Sequence, residues 1–116
     1  MLAELVDLDA IFKALADPTR RRLVDELDER SGQTLFELHV RMLSWHGVTL
    51  SRQALSKHLE ILESAGLIRT EWEWRSKHHH LVREPLERIW RLWLQPKVER
   101  STEGEQHENR RDERAC

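Results

Sequence analysis

The chain has 116 residues, 39% apolar and 34% charged, with a formal net charge of −2, enough for one domain with a single modest core. No apolar run approaches the roughly 20 residues of a membrane span. The acidic opening MLAELVDLDA has no secretory pattern and the lone Cys116 has no disulfide partner, so a cytoplasmic protein without membrane contact is expected.

Residues 2–16 read as a helix, with Leu5, Leu8, Phe12 and Leu15 at helical spacing and Ile11 beside them. Asp17 is a helix N-cap and Pro18 suits the first helical position. Leu23, Val24 and Leu27 then form the apolar face of a second helix, which Ser31-Gly32 ends. Thr34-Leu35-Phe36-Glu37 is a capping box that starts a third helix. That helix buries Leu35, Leu38 and Met42, with Leu43 near its end, and residues 44–50 are expected to break it. Ser51 caps a fourth helix with the stripe Leu55, Leu59, Leu62, stopped by Gly66.

The period then changes. Residues 67–73 read as a strand with Ile68, Thr70 and Trp72 on one side, residues 74–77 as the hairpin tip, and residues 78–82 as the return strand. One of Trp72 and Trp74 is expected to pack inward and the other to stay near the tip. From Pro85 a fifth helix carries Leu86, Ile89, Trp90, Trp93 and Leu94 on one face. Residues 99–116 hold almost nothing apolar and are expected to be a disordered charged tail after a domain of residues 1–98. The expected fold is mainly α with a β-hairpin wing, a winged helix-turn-helix.

On the fourth helix the leucine stripe puts Gln53, Ser56, Lys57 and Glu60 on the opposite side, with Arg52 at the N-terminal edge. Arg52 can donate to guanine, Gln53 can pair with adenine, Ser56 is adaptable and Lys57 suits a phosphate. The helix N-terminus at Ser51 adds backbone N–H groups for a phosphate oxygen. Net negative charge speaks against nucleic acid, yet residues 51–83 hold six Lys/Arg against four Asp/Glu. The same pattern also describes a solvated helix face, and these residues alone do not separate the two.

Residues 12–23, FKALADPTRRRL, resemble the opening signature of the ArsR family of bacterial repressors. Residues 50–68, LSRQALSKHLEILESAGLI, are similar to that family's recognition helix and the entry to its wing. The resemblance implies a homodimeric repressor on double-stranded DNA with near-palindromic operators. It implies DNA contacts from Ser51, Arg52, Gln53, Ser56, Lys57 and His58, and from Arg75 and Lys77 on the wing. It also implies a dimer interface from the first and last helices, here Leu5, Leu8, Phe12, Leu86, Ile89, Trp90, Trp93 and Leu94.

Two departures stand out. The metal sensors of the family have a Glu-Leu-Cys-Val-Cys segment where this chain has Glu37-Leu38-His39-Val40-Arg41, and residues 85–98 hold neither His nor Asp. No metal site is expected, and a small-molecule effector of unspecified chemistry stays open. The loop around Trp45-His46-Gly47 is expected to be longer than the family's usual tight turn.

His78-His79-His80 can place at most two imidazoles on one strand face, too few for zinc without further ligands. Strand packing and phosphate contact are the expected roles. No Gly-rich phosphate loop, nucleophile–His–acid spacing or metal box is present, so no catalysis and no cofactor is expected. A winged helix used for protein–protein contact is the alternative. The basic and amide groups on the recognition face favour DNA.

Overall fold

The computed structural model describes residues 2–100, with side chains from Leu8 onward. The elements are α1 (Leu2–Leu15), α2 (Pro18–Glu29), α3 (Leu35–His46), α4 (Arg52–Ser64), β1 (Ile68–Glu73), β2 (Ser76–Leu81) and α5 (Glu84–Ile89). A π-helical turn, Trp90–Leu94, follows α5, and α-helix resumes to residue 100. This is a mainly helical winged helix-turn-helix. The chain forms two compact units, Met1–Pro85 and Leu86–Cys116. The expected tail from residue 101 on, Cys116 and the Leu5 side chain lie outside the described residues. Among the described residues no helix is long and apolar enough to cross a membrane.

Leu23, Leu27, Leu38, Met42, Leu55, Leu62 and Leu67 are fully buried and hold α2, α3, α4 and the hairpin together. On α1 the buried face is Leu8, Ile11 and Ala14, while Phe12 is turned outward. The stripe expected through Phe12 is thus rotated. An α1 with apolar residues on several sides has more than one face to offer, and packing on α2 and α4 selects among them.

The helix ends follow from local chemistry. Asp17 accepts from the N–H groups of Thr19 (2.8 Å) and Arg20 (3.1 Å), with Pro18 in the first turn. The three arginines that follow are staples. Arg20 Nε donates to Ala14 O (2.6 Å), Arg21 to Leu15 O (2.7 Å) and Arg22 to His46 O (3.2 Å). They satisfy carbonyls left open at the C-termini of α1 and α3.

The capping box forms as expected, with Thr34 Oγ1 accepting from Glu37 N (3.2 Å) and Glu37 Oε1 from Thr34 N (3.0 Å). The break expected at residues 44–50 does not start until Gly47. Helix α3 runs on through Trp45 and His46, and Gly47 closes it at φ 64°, ψ 24°. The loop to α4 is therefore shorter than expected. The added turn is held from outside the helix: Arg22 caps the His46 carbonyl, and the His46 imidazole donates to Glu26 Oε1 at 3.1 Å.

Strands β1 and β2 pair antiparallel, Ile68 opposite Leu81 and Glu73 opposite Ser76. Only Trp74 and Arg75 form the loop, so the tip is two residues and not the four expected. Residues 76 and 77 join the ladder instead. Gln33 adds a bridge to His79 through backbone bonds of 2.7 Å (His79 N to Gln33 O) and 3.2 Å (Gln33 N to His79 O). Neither hairpin tryptophan packs inward, since Trp72 is 65% and Trp74 96% exposed. The inner positions are filled by Ile68 and His79 instead.

Burial pushes the His79 imidazole below its usual pKa, against the opposing effect of its Nδ1–H donating to Gln33 O (3.0 Å). A lowered folded pKa means the unfolded chain binds the proton more readily. Stability from this residue is then present above about pH 6.5 and declines as pH falls below it. We expect urea midpoints to drop between pH 7 and 5.5 in the wild type. In His79→Asn, which retains a donor to Gln33, that drop should flatten. An unchanged slope in the variant would assign the acid sensitivity elsewhere.

Candidate nucleic-acid interface

Ser51 starts α4 in an extended conformation, and its Oγ accepts from Ala54 N at 3.1 Å. Leu55, Leu59 and Leu62 are buried beneath it, as the stripe predicts. That anchoring fixes the opposite side outward: Arg52, Gln53 and Lys57 are exposed and Ser56 is half-buried.

Two shallow grooves meet at Ser56. One is bordered by Ser51, Gln53, Ser56, Lys57 and Glu60. The other runs from the start of α4 to the wing and is lined by Phe36, Arg52, Ser56, Trp72, Arg75 and Lys77, among others. Lys77 stands opposite Trp72 in the ladder, so it shares the inner face of the hairpin. Seven of the eight nucleic-acid residues expected from sequence, all but His58, thus border one continuous surface. His58 is half-buried, and its Nδ1 accepts from Arg20 Nη1 at 3.2 Å. It joins α4 to the staple between α1 and α2.

Phe36 is a residue that sequence reading missed. It is 61% exposed at the start of α3, and the Arg52 guanidinium lies over its ring, 5.7 Å from the centroid. A Phe two residues after an N-cap, off the stripe of Leu35, Leu38 and Met42, was the available signal. A ring beneath a guanidinium restricts its rotamers while leaving its N–H edges free.

The histidines of β2 face other partners. His78 Nδ1–H donates to Gly32 O (2.9 Å), and the Nε2 atoms of His78 and His80 lie 3.5 and 3.6 Å from Glu73 and Glu71. The strand packing expected of them is present. Their neighbours on the outer face of the hairpin are backbone carbonyls, the carboxylates of Glu71 and Glu73, and Arg69, which stands opposite His80 and pairs with Glu71 at 3.1 Å.

The positions that carry thiolates in the metal sensors also have other work. His39 Nε2 donates to Leu50 O at 2.8 Å, tying α3 to the approach to α4. Arg41 pairs with the buried carboxylate of Glu26 on α2 and lies over Trp45. Among the described residues no group of three or more His, Cys, Asp and Glu is arranged to hold a metal.

A helix-turn-helix domain family matches residues 15–71. The uncharacterised HTH-type transcriptional regulator YuzN of Bacillus subtilis (strain 168) is 41% identical over 87 residues, 75% of this chain and 95% of its own length. A crystal structure of an ArsR family transcriptional regulator is 31% identical, with a TM-score of 0.66 over 80% of this chain and 88% of that one. The homodimeric winged helix-turn-helix DNA-binding domain of a Mycobacterium bovis protein has the same fold at 20% identity, with a TM-score of 0.64 over 90% of this chain and 88% of that one. Such regulators act by binding DNA and not by catalysis. The chain belongs to the ArsR family of winged helix-turn-helix transcriptional regulators.

Proposed function

We propose that this protein is a homodimeric transcriptional repressor of a near-palindromic operator, with α4 of each protomer in the major groove. The observation that carries this reading is the polar start of α4, where Arg52, Gln53, Ser56 and Lys57 stand over a buried leucine stripe and continue into the basic side of the wing. Arg52 and Gln53 read bases. Lys57, Arg75 and Lys77 hold phosphates, and the amide groups behind Ser51 add a further phosphate contact. His58 acts through Arg20, setting how α4 is seated. The test is selection of bound duplexes from a random pool, followed by salt titration. Specific binding should fall with log salt at a slope set by the phosphates neutralised. A salt-independent interaction with no recovered sequence would favour a protein partner.

The dimer is supported by apolar side chains that a protomer leaves outside: Phe12 on α1, and Trp90, Trp93 and Leu94 in the π-helical turn. Exposed apolar groups in such number mark an interface. Leu8 and Ile89 are buried within the protomer and Leu86 is half-buried, so they do not belong to this exposed set. Lys97 Nζ lies 3.9 Å from the Trp93 ring centroid. Trp93→Glu would place an unpaired charge against apolar surface, which is costly. Sedimentation at micromolar concentration should show a dimer for the wild type and a monomer for the variant. A wild type that sediments as a monomer removes the interface.

A further inference from the structure

The tip of the wing carries a side chain that the phosphate and base contacts above do not use. Trp74 is 96% exposed, so its indole is covered by almost nothing in the fold. Its backbone has φ 61°, and it is the one non-glycine residue with positive φ among those described. The first position of a two-residue hairpin loop with that sign of φ is where glycine is favoured. A bulky side chain there costs stability, and exposing an indole to water gains none. The ring is set at the outermost point of a two-residue loop, with exposed Glu73 before it, turned to His78 on the outer face of the hairpin, and cations on the side that faces α4. Arg75 follows it in the loop, and Arg75 and Lys77 border the groove that leads to Arg52 on α4. A membrane or apolar protein partner would be met by an apolar rim. A polyanion is met by a cationic one.

We propose that Trp74 is a wedge that enters the DNA minor groove beside the α4 site and stacks into a base step, kinking the duplex. This rests on the DNA-binding reading above. With α4 in the major groove, a hairpin beside it crosses a phosphate ridge and meets the neighbouring minor groove. Arg75 and Lys77 are positioned for that ridge, and the indole projects past it. Apolar side chains that enter from this side unstack a step and bend the duplex toward the major groove. Pyrimidine–purine steps unstack most readily, so the wedge adds preference for TA or CA at a position that α4 does not touch. Trp72, on β1 and 65% exposed, lines the groove behind the tip.

The experiment uses the full chain and the best duplexes recovered from a random pool. Permanganate reactivity reports unstacked thymines, and circular-permutation mobility reports bending. The wild type should show one hyperreactive thymine per half-site, flanking the α4 contacts, and a bent complex. Trp74→Ala should lose both signals and bind about tenfold or more weakly, the scale of losing a base–aromatic stack. Trp74→Phe should keep part of each. Trp74→Gly should lose the DNA signals while its Tm equals or exceeds that of the wild type, because glycine relieves the positive φ. That opposite movement of stability and binding separates a wedge from a residue needed to fold. Arg52→Ala should relax preference at the base it reads yet keep thymine reactivity on duplexes it still binds. If Trp74→Ala bends and unstacks DNA like the wild type, the wedge is overturned and the α4 reading stands. If Arg52→Ala and Trp74→Ala both leave binding unchanged, the α4 reading falls with it.

Discussion

Arg52→Ala should weaken binding to the selected operator by roughly 30-fold to 10⁴-fold. A bidentate base contact is worth ~1–3 kcal/mol, and the proposed dimer makes it twice. On a scrambled duplex the same variant should lose far less, because non-specific affinity comes from phosphates. Lys57→Ala, Arg75→Ala and Lys77→Ala should behave in the opposite way. Each weakens both duplexes alike and lowers the salt slope by about two units per dimer. Phe36→Ala should produce a reduced copy of the Arg52 effect, since the ring that orients the guanidinium is gone while its donors remain. Equal losses on cognate and scrambled DNA for Arg52→Ala would move it from base reader to phosphate contact. The preference would then have to come from Gln53 and Ser56 or from the wing.

Glu26→Ala should be the most destabilising single change in the domain. Glu26 is 1% exposed and accepts from Gln33 Nε2 (2.7 Å), Arg41 Nε and His46 Nε2 (3.1 Å). Removing the carboxylate leaves the Arg41 guanidinium and the His46 imidazole of α3, and the Gln33 amide before it, without their shared acceptor. Breaking a buried pair from one side costs ~3–5 kcal/mol, a large share of the ~5–15 kcal/mol total of a typical domain. The Tm should fall by at least about 12 °C. Replacing Glu26, Arg41 and His46 together by Met or Leu should recover much of that loss, because no charge is then stranded. A Tm for Glu26→Ala within a few degrees of the wild type would show that water reaches the cluster.

The same cluster sets the acid limit. Burial works to raise the Glu26 pKa, but hydrogen bonds from Gln33, Arg41 and His46 outweigh it and hold the carboxyl below the ordinary range. A lowered folded pKa gives stability that is present above the ordinary carboxylate value and lost as pH falls through the folded one. This loss lies below the pH range of the His79 effect, so the two are separable in one titration. Glu26→Gln should reduce the lower step, to which the lowered carboxyls of Asp17 and Glu37 also contribute, and leave the upper one.

Much of the fold was determined by the sequence alone, because it rests on interactions between near neighbours. Asp17 with Thr19 and Arg20, Thr34 with Glu37, and Ser51 with Ala54 are contacts within three residues, and the starts of α2, α3 and α4 follow from them. The period of Leu55, Leu59 and Leu62 fixed the outward face of α4, so Arg52, Gln53 and Lys57 were legible as a surface before any coordinates. What only the tertiary structure decided depends on partners far along the chain. Glu26 looks solvated among the charges of α2, and is buried because Gln33, Arg41 and His46 reach it from 7, 15 and 20 residues away. The last turn of α3 exists because Arg22 and Glu26 hold His46. The inward side of α1 was open until α2 and α4 packed against it. Gln33 meets His79 across 46 residues, which no local period encodes. The exposed indole of Trp74 needed the ladder register as well: pairing Glu73 with Ser76 leaves two loop residues, and closing so tight a turn forces the positive φ.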